Sequence, residues 1–107
     1  MVFVESPWFS RFVAEAMDDE TCRELQVALV ENPAAGVVIP GAAGLRKLRW
    51  RLPGQGKRGG ARVIYYWWVR ADRIYLLYGY GKSEREDLTR EQLRRLADVM
   101  RQEVGDE

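Results

Sequence analysis

The sequence predicts an α+β domain with elements in the order β-α-α-β-β-β-α, an antiparallel sheet and helices packed on one of its faces. Three observations predict it. Apolar residues recur at helical spacing near both ends of the chain, in 8–16, 22–29 and 93–104. Between them lie two runs of β-branched and aromatic residues, 62–69 and 73–80, joined by a short turn. The length, 107 residues with 47% apolar and 31% charged side chains, suits one domain over 1–107, which buries roughly two-thirds of the surface its unfolded chain exposes.

The opening VFVE reads as a short strand. Ser6 and Pro7 then suit an N-cap and first helical position, with Trp8, Phe9, Phe12, Val13 and Ala16 on one stripe behind them. A second helix starts near Asp18 or Asp19, whose carboxylates favour a helix N-terminus, carries Cys22, Leu25, Ala28 and Leu29, and stops before Asn32-Pro33. Residues 33–44 form a turn-rich connector with a brief extended piece at Val37–Ile39. Leu45–Arg51 alternates, Leu48 and Trp50 to one side and Lys47, Arg49 and Arg51 to the other. After the loop PGQGKRGG, the strands Arg62–Val69 and Arg73–Tyr80 flank the turn Arg70-Ala71-Asp72. The last helix opens at Thr89, with Gln92 three residues on as a capping box, and its stripe is Leu93, Leu96, Ala97, Met100 and Val104. Asp106 and Glu107 are expected to fray.

Two counts exclude whole classes of chemistry. A single cysteine, Cys22, rules out an intrachain disulfide and a thiolate metal cluster, and its place on a helix stripe marks it as a small core residue. The absence of histidine removes Ser-His-Asp and Cys-His catalysis, the common zinc sites and the usual general base near neutral pH. No apolar run approaches the roughly 18–20 residues that cross a bilayer. The N-terminal MVFVESPWF lacks the charged start and apolar stretch of a signal peptide, so a cytoplasmic protein without a membrane partner is expected.

The net charge of +1 hides a segregation: residues 1–44 carry −5, whereas 45–62 carry seven cations and no acid. Such a block attracts polyanions and points to a nucleic-acid partner. Within it, Lys47 and Arg49 lie two apart on a strand, which holds them about 7 Å apart on one face; a wet strand face that resists edge aggregation reads the same way. Arg62 follows Gly59-Gly60-Ala61, where small residues let a ligand backbone approach, and its planar fork suits a phosphate or a cross-strand carboxylate. Tyr78-Gly79-Tyr80-Gly81-Lys82 ends a strand in aromatics and a cation. Tyrosine faces stack on unpaired bases or pack in a core. GKRGG is not a phosphate-loop motif. Among Glu84, Glu86 and Asp87, one carboxylate could accept a proton, or all three simply lead into the helix.

These pieces in order — GLRKLRW, GQGKRGGARVIYYW, IYLLYGYGK and SEREDLTREQLRRLADVM, from about Gly44 to Met100, behind a β-α-α opening — resemble the RelE/HigB superfamily of type II toxin–antitoxin toxins. The nearest branch is the HigB-like one with a G-K-R-G-G-x-R segment. The resemblance implies a RelE-like microbial RNase fold and a ribosome-dependent endoribonuclease. Such an enzyme needs no metal or cofactor; it cleaves messenger RNA in the ribosomal A site and so inhibits translation. Its partners would be the ribosome, the message and a cognate antitoxin, commonly a helix-turn-helix DNA-binding protein. Carried over, the catalytic positions are Lys47, Arg49, Arg62 and Lys82. Arg46, Arg51, Lys57 and Arg58 would anchor RNA backbone, and Tyr80 would contact RNA. The family's tyrosine near the last helix falls at Thr89 here, and the histidines of HigB-like relatives are absent. Two other readings share the fold: a ParE-like toxin that targets gyrase, and a non-catalytic RNA- or partner-binding module.

Overall fold

A computed structural model describes residues 1–53, 60–82 and 87–105. It contains β1 (Val2–Glu5), α1 (Pro7–Ala16), α2 (Asp19–Glu31), β2 (Val37–Val38), β3 (Arg46–Trp50), β4 (Ala61–Trp68), β5 (Arg73–Gly81) and α3 (Arg90–Val104). The α+β class and the element order are as expected, and the brief extended piece at Val37 is a fifth strand. Each helix begins where a side chain takes an orphan backbone N–H. The Ser6 hydroxyl accepts from Phe9 N at 3.0 Å, and Asp18 Oδ1 accepts from Thr21 N at 2.7 Å. Those bonds from Thr21 hold the Asp18 carboxyl below its ordinary value. Thr89 and Gln92 form the full capping box.

The sheet runs β1-β5-β4-β3-β2. Two features depart from expectation. First, the sheet is mixed: β3, β4 and β5 form an antiparallel meander, but β1 lies parallel to β5, with Val2 opposite Arg73 and Glu5 opposite Leu76. Second, the helices do not share a face. Phe9 and Phe12 of α1 and Leu25 and Leu29 of α2 pack on Val63, Tyr65, Ile74 and Leu76. Leu96, Ala97 and Met100 of α3 pack on the opposite side, against Ile64, Tyr75 and Leu77. The cause is composition: β4 is apolar on both faces, and a strand with two apolar faces must be covered twice. A bulge between Ile64/Tyr65 and β5 leaves Leu77 as an extra residue, so that Leu77 and Tyr78 both serve the α3 side.

Two close contacts fix the frame. The buried Tyr65 hydroxyl donates to Pro33 O at 2.7 Å and accepts from Gly36 N at 2.8 Å, which pins the α2–β2 connector to the sheet. Gly79 lies under the Phe12 ring, where any Cβ would overlap it. Cys22 is half-buried; burial first, then the Glu5 and Asp19 charges, push its thiol up and keep it protonated. Among the described residues, no helix is long and apolar enough to cross a membrane.

Candidate functional site

Pairing register decides which cations meet. Arg49 of β3 lies opposite Arg62 of β4, and Arg62 lies opposite Tyr80 of β5, one row across three strands. Lys47 is two residues from Arg49 and pairs with Ile64. Residues opposite one another share a face, so Lys47, Arg49, Arg62 and Tyr80 all stand on the α3 side, with neighbouring strands about 4.8 Å apart. Arg49 is exposed and Lys47 half-buried, whereas Arg62 and Tyr80 are buried. Like charges directly opposite destabilise a sheet. The Arg49–Arg62 pair therefore has a standing cost that an anion would offset.

The cleft between this row and the start of α3 has a volume of about 240 Å³. Ile39, Ile64, Leu88 and Leu93 wall it, and Lys47, Tyr80 and Asp87 give it polar edges. The Thr89–Gln92 capping box sets where α3 begins and thus where Asp87, two residues earlier, stands. Lys47 Nζ is 2.6 Å from Asp87 Oδ1. The hydrogen bond from Lys47, then its charge, and more weakly the Arg62 guanidinium hold the Asp87 carboxyl below its ordinary value. Asp87 thus senses both cations.

Arg62 is only 8% exposed. Its Nη1 donates to Ala61 O at 3.3 Å. The preceding Gly60 has φ +113°, and a Cβ there would stand 2.7 Å from Trp50 O, so only glycine brings the strand in at this point. Lys82 N donates to Gly60 O at 3.1 Å, which extends the β4–β5 ladder one step past the Ala61–Gly81 pair, and the Lys82 side chain is exposed there.

The other residues singled out in the sequence divide. Tyr80 is 2% exposed and forms a wall of the cleft, its ring 6.3 Å from that of Tyr78. Arg46 points to the α1–α2 side, where Nη1 donates to Gly36 O at 2.8 Å and braces the same connector as Tyr65. Arg51 lines a separate hollow with Thr21 and Glu24. Lys57, Arg58, Glu84 and Glu86 lie outside the described residues. Thr89 is committed to its cap. Sequence reasoning missed the Lys47–Asp87 pair; the only hint was an acid leading into the last helix, and its partner is 40 residues away.

A family model described as the RelE toxin of the RelE / RelB toxin–antitoxin system matches residues 2–104. The chain belongs to the RelE toxin family. The match runs from β1 to the end of α3, so the whole fold, including the strand row and the cleft, lies within it. As a RelE-family toxin, the protein has a cognate antitoxin as its partner. Chemically, the arrangement is a small cleft with cationic side chains at and beside it. The Lys47 ammonium lines the cleft and is bound to Asp87, its one described carboxylate, and Arg49 and Arg62 stand in the neighbouring row on the same sheet face.

Proposed function

We propose that this RelE-family toxin is a ribosome-dependent endoribonuclease of the HigB-like branch that cuts message in the A site and stops translation in the cytoplasm. The observation that carries the reading is the row Arg49–Arg62 with Lys47 beside it, like charges gathered on one sheet face, where Lys47 lines a cleft. In RNA cleavage of this type the 2′-oxygen attacks the adjacent phosphorus and the bond to the 5′-oxygen breaks. The products are a 2′,3′-cyclic phosphate and a free 5′-hydroxyl, and the 2′-proton goes to solvent or a base. Negative charge on the non-bridging oxygens grows on the way to the transition state, so fixed cations stabilise it more than the ground state.

In this scheme Arg62 grips the scissile phosphate, Lys47 and Arg49 meet the developing charge, and Lys82 assists the leaving oxygen. Asp87 is a poor general base: its lowered pKa sets it far from the operating pH at which proton transfer is efficient. Electrostatic stabilisation therefore carries the rate, and alignment of the strand falls to the ribosome. The antitoxin, of helix-turn-helix type on the HigB-like reading, would act by denying access to this face.

The test is induction of the full chain in cells with mapping of message ends, beside Lys47→Ala. Expected is rapid translational arrest with cuts inside translated messages, lowered about 10²-fold in the variant. A chain that arrests nothing and cuts nothing, or a Lys47→Ala protein as active as the parent, defeats the proposal. A second reading, binding without cleavage, is favoured by the Lys47–Asp87 pair, which neutralises one cation.

On that second reading neither the parent chain nor Asp87→Asn cuts message, and cutting by either removes it. On the nuclease reading, freeing Lys47 from a half-exposed pair tightens RNA binding by up to about fivefold, the worth of roughly 1 kcal/mol, and cleavage persists. Cleavage reduced by more than about 10²-fold would instead make Asp87 the proton acceptor.

A further inference from the structure

Alongside α3 runs a second and larger hollow of about 590 Å³, closed on its other side by the Pro40–Ala43 turn. Arg90, Arg94 and Arg101 line it, with Asp98 as its one acid. Asp98 is bound to Arg101 at 3.1 Å. Neither Arg90 nor Arg94 has a hydrogen-bond or ion-pair partner among the described residues. The two are four residues apart, one helical turn or about 6 Å. At Gly41 a Cβ would find no heavy atom within 4 Å, so the opposite lip presents open backbone. Leu93 lines both this hollow and the Lys47 cleft, so the two are neighbours along the start of α3.

We propose that this hollow carries the sugar–phosphate backbone of the ribonucleotide strand beyond the neighbouring cleft, with Arg90 and Arg94 on successive phosphates. The inference rests on the nuclease reading of the cleft and extends it to a binding subsite. Charge complementarity identifies the occupant: three guanidinium groups against one paired carboxylate. The floor argues against an acidic helix or peptide. Its buried side chains are the small Ala42 and Ala97, which offer no deep pocket for the large apolar anchors that such partners use. A stacked or extended strand needs no such pocket, since each phosphate is met by a cation at the rim.

The experiment compares the full chain with Arg90→Ala/Arg94→Ala, titrating salt against two uncleavable RNAs with a 2′-deoxy residue at the cut position. One is a dinucleotide that fills only the cleft, and the other is a strand of about 12 nucleotides. Expected is a roughly tenfold loss on the longer strand, with the salt slope shallower by about 1.4, and no change on the dinucleotide. Asp98→Ala, which frees Arg101, is expected to tighten the longer strand alone.

Equal losses on both probes overturn the proposal, as does an unchanged longer strand or no measurable binding of it by the parent chain at low salt. So does displacement by a polyglutamate peptide without competition from RNA, which assigns the hollow to a protein partner. Failure of the cleft reading shows differently: Lys47→Ala would cut message like the parent while the groove variant still lost the longer strand.

Discussion

Arg62→Ala is expected to lower message cleavage by about 10²–10³-fold while leaving the domain folded. The magnitude is that of one preorganised donor removed from a developing oxyanion, about 2.7–4 kcal/mol of transition-state stabilisation. Arg62 should exceed Lys47 in effect for two reasons. It is nearly enclosed, at 8% exposure, so its charge is less screened by water. Lys47 already shares its charge with Asp87. Folding should survive because the change removes the like-charge opposition between Arg49 and Arg62. Arg62→Lys gives the finer test. It retains the charge but loses the planar fork, so on a bidentate grip it should recover only part of the lost rate. Cleavage by programmed ribosomes, scored beside a thermal melt of each variant, checks both. Full activity in the alanine variant would remove Arg62 from the site.

Phe9→Ala is expected to destabilise the fold by about 3–5 kcal/mol and lower Tm by more than about 10 °C. Phe9 is fully buried and joins α1 to the sheet in the cluster that also holds Phe12, Leu25 and Leu29. The Phe12 ring, 6.4 Å away, rests over Gly79. A void at Phe9 cannot be filled without lifting that ring from the strand that carries Tyr80. With ordinary domains stable by about 5–15 kcal/mol, such a loss is a large share of the whole. Urea melts that share one m-value and differ in midpoint would support the assignment; a shift under about 1 kcal/mol would show that the cluster closes over the gap. Because Phe9 is on the far face from the cations, residual folded protein should retain its RNA affinity.

Much of this architecture is legible in the chain, for identifiable reasons. Helix starts are local events: Ser6-Pro7, Asp18 and the Thr89–Gln92 box each satisfy nearby N–H groups, so their signal sits within four residues. Strand parity is equally local, which is why Lys47 and Arg49 fall on one face as read. What depends on pairing is not local. The four residues of β1 carry no mark of the direction in which they will pair, and the bulge that turns Leu77 and Tyr78 to one side arises between strands. The two-sided cover of β4 was written in its uninterrupted apolar run, but such a run does not say which helix goes where. At the site, the register that sets Arg49 against Arg62 and the pairing of Lys47 with Asp87 needed three dimensions. So did the role of Arg46, a cation in the basic block that the fold spends on a backbone carbonyl.

The parallel pairing of β1 with β5 has a consequence for biogenesis. Ser6 donates to Leu77 O across a separation of 71 residues, so the first strand made is among the last to find its neighbour. Contacts of such long range close slowly. During synthesis, which runs from the N-terminus, α1 and α2 emerge with no surface to lie upon. A message cut short before the codon for Arg73 therefore encodes α1 and α2 with Val63 and Tyr65 of β4 but without Ile74 and Leu76 of β5, a half-built surface that is material for a protease and not a smaller version of the protein.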